Sequence, residues 1–364
     1  MKLFYSNVIT ILTSIFILAG NCNAEISQKK IKIGISTALT GAAANYGLDL
    51  RDAVMFANEK FGEGKYQLIF EDDKCNGLEA VTIANKFINL DKVDYVLGFV
   101  CSGAALAALP IYDKAKIPVM ITSASSARIR DAGENVFRTA PSDLEAGKLL
   151  FSHISKKHKR IGIISEETDY AQDLKNAFLL DNKDRQLELI ERNYLPELTD
   201  FRTMLLQLKQ ANVEAVFINS QTESSAILIV KQLSDVKLSV PLYGAYFPGS
   251  PVFIEQLGKL AEGIEFVDPP SPKNVLTSDG IKTMAEYQTS YQAVRSIEST
   301  VYTTYEGFRV LDLTVESGIN YKDFLLSEKF SGIFGNFSFD AKGELIGLNF
   351  KIKKIQNGTT VELY

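Results

Sequence analysis

Short apolar runs begin at Ile31 and recur through the chain, separated by longer stretches in which apolar residues return every three or four positions. Unbroken apolar runs predict strands buried on both faces, and the longer period predicts amphipathic helices covering them. The runs at 31–37, 66–72, 95–100, 117–122, 160–166, 187–194, 215–219, 241–246 and 263–267 are the candidate strands. The candidate helices include Leu48–Phe61, Leu78–Leu90, Ala104–Ala115, Leu144–Lys156 and Phe201–Ala211, with two more at 278–292 and 297–317. Alternation of this kind defines an α/β protein with doubly wound, mostly parallel sheets.

Strands continue past residue 160, more than one open sheet usually holds, so a second sheet is expected. The break falls at Ala140-Pro141-Ser142. The proline-rich stretch 268–273 reads as another crossing, because proline removes backbone donors and enforces extended geometry. A C-terminal ribbon, residues 337–355, is expected to turn at 340–343.

At 364 residues and 46% hydrophobic content the chain can bury the cores of two packed units. Its net charge of -5, with no clustered Lys and Arg surface, excludes a nucleic-acid-binding face. The single basic run, 156–160, reads as a solvated helix end. At the N-terminus, Lys2 precedes an apolar stretch from Val8 to Ala19, and Cys22 and Ala24 supply the small residues of a cleavage site. Residues 1–24 therefore read as a secretory signal peptide. A membrane anchor is the alternative, but the run is short for a bilayer. Asn21 separates Gly20 from Cys22, which disfavours a lipid-anchored form. Cleavage would remove Cys22 and leave Cys75 and Cys101 in a disulfide-permissive compartment, where a bridge between them is expected. Two buried free thiols are the alternative.

Catalytic signatures are weak. His153 and His158 stand five apart and no further Cys or acid pair completes a metal site, so neither a metal nor a cofactor is expected. No nucleophile elbow or phosphate-binding loop occurs, and GISTALTGAAANYG lacks the dinucleotide spacing. No catalysis is expected. What stands out is three turns rich in small hydroxyl residues, each directly after a strand: 37–41, 101–103 and 122–126. In parallel sheets ligands bind beyond the carboxyl ends of the strands. Ordinary helix caps are the plain reading of any one such turn.

These stretches, with FEDDKCNGLEAVTIANKFI, YVLGFVCSGA, IPVMITSASSA, VFRTAP, KRIGIISEETDYAQDL and FSFDAKGELIGLNF, resemble the periplasmic solute-binding proteins of the leucine/isoleucine/valine-binding family. The resemblance implies two lobes joined by three crossings: residues 25–142 and 272–334 in lobe 1, 143–271 and 335–364 in lobe 2. It implies a periplasmic monomer that delivers a small solute to the membrane permease of an ABC importer. The same fold also serves as a ligand sensor for a membrane receptor, which is the alternative. The family's carboxylate-binding serine falls on Ser102, beside Gly103; its backbone and hydroxyl donors fall on Ala124 and Ser126, with Ser125 between them; its cleft aromatics fall on Tyr46 and Tyr170. Two positions depart from the family. Gln221 stands where a tyrosine is usual. Tyr246 stands where branched-chain binders carry the glutamate that meets the ligand ammonium, so Asp169 or Glu223 would have to reach in. The expected solute is a small carboxylate or amide-bearing molecule, amino acids included, without branched-chain selectivity.

Overall fold

A computed structural model describes residues 29–180, 182 and 187–364. The signal-peptide expectation for residues 1–24 lies outside the described residues. Strands β1 (Ile31–Thr37), β2 (Tyr66–Asp72), β3 (Tyr95–Gly98), β4 (Val119–Ile121) and β5 (Val136–Arg138) form one parallel sheet in the order β2-β1-β3-β4-β5. Successive residues on these strands enter different cores. Val96, Val119 and Ile121 pack on one face, Leu97 and Met120 on the other. Both faces are covered, which is why the strands read as unbroken apolar runs.

The second sheet repeats this plan with β6 (Arg160–Glu166), β7 (Glu188–Tyr194), β8 (Ala215–Asn219), β9 (Leu242–Ala245) and β10 (Glu265–Asp268). Val216 and Ile218 face one core, Ala215 and Phe217 the other. Its far edge is completed by β14 (Lys351–Gln356), antiparallel to β10, and β15 (Thr359–Glu362). The result is two doubly wound α/β lobes joined by three crossings.

The first crossing follows β5 and ends where Ser142 caps helix α4 (Asp143–Ser155), accepting from the Leu144 N–H. The second follows β10 through Pro269 and Pro270, where the Tyr302 hydroxyl donates to the Pro270 carbonyl at 3.0 Å. It leads to the long helix α11 (Glu298–Ser317), which packs on the first lobe. The third crossing differs from the sequence expectation in two respects. Residues 337–355 are not one ribbon: β12 (Gly335–Phe339) pairs with β11 (Phe330–Gly332) and β13 (Leu345–Ile346) in a small separate sheet. Residues 335–348 also belong with lobe 1, because Phe337, Phe339 and Leu348 are buried in its core, and only from Phe350 do side chains enter the second lobe. The bend sits at Gly347, at φ +122°, where an added Cβ would lie 2.6 Å from the Asn336 carbonyl oxygen. Period alone could not place that bend, since both halves alternate alike.

Candidate functional site: a cleft between the lobes

The carboxyl ends of β1, β3 and β4 and those of β6, β8 and β9 face each other across one cavity. At the end of β3, Gly98 adopts φ +139° and approaches the Ser36 carbonyl so closely that a Cβ would lie 2.4 Å from it. Phe99 follows at φ +62°, turning the chain into Cys101 and helix α3 (Ser102–Ala115). Cys101 is bridged to Cys75, a separation of 26 residues, so the loop after β2 is tied to the start of α3. The bridge also meets the other lobe. The Gln221 amide, from the turn after β8, donates to Cys75 Sγ at 3.0 Å.

Three tyrosines wall the cavity: Tyr46 from the first lobe, Tyr170 and Tyr246 from the second. Tyr246 holds φ +56°, a left-handed conformation that costs a non-glycine residue energy and is kept by its surroundings. Its N–H donates to the Val267 carbonyl at 2.9 Å, and its hydroxyl to Asp143 Oδ1 at 2.8 Å. The other Asp143 oxygen accepts from Ser125 Oγ at 3.0 Å. Burial pushes the Asp143 carboxyl up to about 7, against the two hydrogen bonds and the attraction of Arg138. A second buried acid lies behind Tyr46, whose hydroxyl donates across the cleft to Glu223 Oε1 at 2.8 Å. Burial raises the Glu223 carboxyl as well. All three tyrosines are held well above their ordinary value by burial, so their hydroxyls stay protonated. Each acid thus sits directly behind a cavity-lining tyrosine and polarises its oxygen. The enclosed space between the lobes suits a small organic molecule.

The lobes are held shut at the rim. Arg128 Nε donates to Asp173 at 2.8 Å, its guanidinium also pairs with Asp169, and the Ser126 hydroxyl donates to Asp173. Arg128 and Asp169 are about half exposed, so these pairs are screened by solvent.

A family model described as periplasmic binding protein matches residues 30–317. The chain belongs to that family. Among curated relatives, this periplasmic binding protein is 26% identical to the Leu/Ile/Val-binding protein of Citrobacter freundii, over 92% of this chain and 95% of the relative. It is 23% identical to the leucine-, isoleucine-, valine-, threonine- and alanine-binding protein of Pseudomonas aeruginosa, over 92% of each. Among solved structures, a leucine-binding protein from Thermotoga maritima shares the fold at a TM-score of 0.83 and 21% identity, covering 92% of this chain and 98% of that one. A solute-binding protein of an ABC transporter from Rhodopseudomonas palustris, in complex with benzoate, does so at 0.82 and 18%, covering 92% and 96%. The family is one of solute binders rather than enzymes. Among the described residues no three His, Cys, Asp or Glu side chains could hold a metal, and no helix is long and apolar enough to cross a membrane.

Of the residues singled out from the sequence, Tyr46, Ser125, Tyr170, Gln221 and Tyr246 line the cavity of this periplasmic binding protein, as does Cys101. Ser102, Gly103, Ala124 and Ser126, expected to touch the solute, are not among the cavity's lining residues. Ser102 Oγ accepts from the Ser126 N–H at 3.2 Å, and the Ala124 N–H donates to the Phe99 carbonyl. At Gly103 an added Cβ would lie 2.9 Å from Asp169 Oδ2, so the glycine admits the second lobe. Sequence reasoning missed Asp143. The signal was an acid directly after the Pro141-Ser142 break, but its place in a helix's first turn gave it an ordinary explanation through the helix dipole. Asp169 meets Arg128 at the rim. Glu223 reaches only as far as the Tyr46 hydroxyl.

The rim pairs carry a measurable consequence. Arg128→Ala should speed solute release about 2- to 5-fold, the value of an exposed ion pair of ~0.5–1 kcal/mol. The difference should shrink in about 1 M salt. A stopped-flow off-rate equal to that of the unaltered protein at low salt would show that these pairs do not hold the lobes shut.

Proposed function

We propose that this chain is the extracytoplasmic receptor of an ABC importer, exported by cleavage after residue 24. It closes its two lobes over a small amino acid or related amino-bearing carboxylate and presents the closed form to the permease. The observation that carries this reading is the pairing of two of the three cleft tyrosines with an acid: Tyr246 with Asp143 and Tyr46 with Glu223. A tyrosine hydroxyl that donates to a carboxylate keeps its own lone pairs free to accept from an ammonium. Neither acid is in direct contact with a cation among the described residues, although Arg138 attracts Asp143 from further off, and burial disfavours the charge of both. A solute ammonium relieves that cost. These acids supply what Tyr246, in place of the family's glutamate, does not.

A solute carboxylate would be met by the serine turn, where Ser123 and Ser125 line the cavity. The Ser126 N–H and the Ser102 hydroxyl would join in only if the bond between them opened toward the solute. The relatives' names point to the same class, for they name small amino acids: leucine, isoleucine and valine in one, with threonine and alanine added in the other.

The experiment is a thermal-shift screen of amino acids, their decarboxylated amines and their deaminated acids, since saturating ligand at 100 times its dissociation constant raises stability by about 2.7 kcal/mol. Amino acids should shift the midpoint and both truncated sets should not. Closure should follow, because Tyr46 and Tyr170 reach the cavity from different lobes. Small-angle scattering should show a smaller radius of gyration with a hit than without. A response to deaminated acids alone would remove the role of the two acids. An unchanged radius would remove hinge closure.

A further inference from the structure

The cavity has a third wall that neither the tyrosines nor the serine turns explain. Helix α11 begins there; its capping residue Ile297, Ser299 and Thr300 of its first turn, and Thr303 of the next turn belong to the lining. Ile297, at the capping position, supplies no side-chain cap, and the Thr300 N–H turns back to the Ile297 carbonyl at 3.1 Å. Thr303 is fully engaged, its hydroxyl lying 2.7 Å from both the Thr122 and Ser299 carbonyls. Thr300 is different. It is 1% exposed and its Oγ1 has no hydrogen-bond partner. A buried hydroxyl left unpaired costs free energy, and valine of the same shape would avoid that cost. Here Thr300 lines a ligand cavity at the start of a helix, so a turn of its side chain would bring the hydroxyl to a bound solute.

We infer that the first turn of α11, through Thr300 and Ser299, forms a polar subsite that selects solutes whose side chain ends in a neutral hydrogen-bonding group, a hydroxyl or an amide, over branched aliphatic ones. The inference rests on the receptor reading above and narrows its solute. The distal group is neutral because no Lys, Arg, His, Asp or Glu lines the cavity, so a second charge on the solute would meet no countercharge there. A group that accepts from Thr300 satisfies the orphan hydroxyl, whereas an aliphatic branch leaves it unpaired and its own surroundings polar. Discrimination of this kind is steep in general, since a site built to hydrogen-bond a group rejects the analogue lacking it far more strongly than an apolar site separates sizes.

Isosteric pairs isolate the effect from volume. Calorimetry would compare threonine with valine and asparagine with leucine, on the unaltered protein and on Thr300→Val and Thr300→Ser. The polar member of at least one pair should bind more tightly. Thr300→Val should weaken that member by roughly 5- to 30-fold and leave its aliphatic isostere unchanged or tighter, while Thr300→Ser retains the preference. Tighter leucine or valine binding, with Thr300→Val neutral, would overturn the polar subsite and leave the receptor reading standing. No binding by any amino acid in a protein that still melts cooperatively would overturn the receptor reading and the subsite with it.

Discussion

Asp143→Asn should lower affinity for an ammonium-bearing solute by roughly 0.5 to 1.5 kcal/mol, acting through Tyr246, whose oxygen then accepts from the ammonium without a carboxylate behind it. The same substitution should raise the stability of the solute-free protein. The two effects oppose because one carboxylate serves both. Its ionised form is disfavoured by burial and bonded only by Tyr246 and Ser125, with Arg138 attracting it and Asp173 repelling it at longer range. The folded protein holds this carboxyl up to about 7, whereas the unfolded chain releases the proton near 3.8. Between these values the folded state binds a proton that the unfolded state does not. Stability from this group is therefore fully present below about pH 4 and is lost as pH rises through about 7. Roughly three pKa units of separation correspond to about 4 kcal/mol across that window. Solute affinity runs the other way, because the ammonium needs the ionised acid, and should fall as pH drops below about 7. Calorimetric titrations at pH 5 and pH 8, with thermal unfolding at both, test both signs. An Asn variant with the parental affinity and the same pH dependence would place the ammonium elsewhere.

Opening the Cys75–Cys101 bridge should cost roughly 3 to 4 kcal/mol, from the chain entropy that a 26-residue separation releases to the unfolded state. Binding should suffer beyond this global loss. The bridge anchors the start of α3 and receives the Gln221 amide from the other lobe, so its removal loosens one wall of the cavity and one interlobe contact. Urea unfolding of the oxidised and reduced protein, and of a Cys75→Ser, Cys101→Ser double variant, gives the first number. Titrations under conditions where all forms remain folded give the second. Two alkylatable thiols in oxidised protein, or coincident unfolding curves, would sink both expectations.

Much of this molecule was legible before any coordinates. Both faces of each parallel sheet are buried, so the strands show as apolar runs, and 31–37, 66–72, 160–166 and 215–219 begin and end where the sequence puts them. Short-range chemistry was legible for the same reason. Turns that follow a strand carry Ser, Thr and Gly in recognisable order, and the resemblance to the solute-binding family, carried by those local motifs, put Tyr46, Ser125, Tyr170, Gln221 and Tyr246 at the cleft, where they line the cavity. Such features depend on residues close together in the chain.

Contacts between distant segments were decided only by the tertiary structure. Residues 335–348 follow the same alternation as 351–356, yet the first piece packs on lobe 1 and the second pairs with β10 in lobe 2, because burial of Phe337 and Phe339 against α11's core outweighs continuity of the ribbon. Asp143 looks in sequence like any acid in a helix's first turn, and becomes a site residue only because Tyr246, 103 positions away, is folded onto it. Glu223 meets Tyr46 across 177 residues for the same reason. Thr300 has no sequence signal at all, since an unpaired hydroxyl is a property of everything that surrounds it. Hydrophobic period is a local quantity and specifies elements. The charge environment of a buried group sums over both lobes, so only the closed fold determines it.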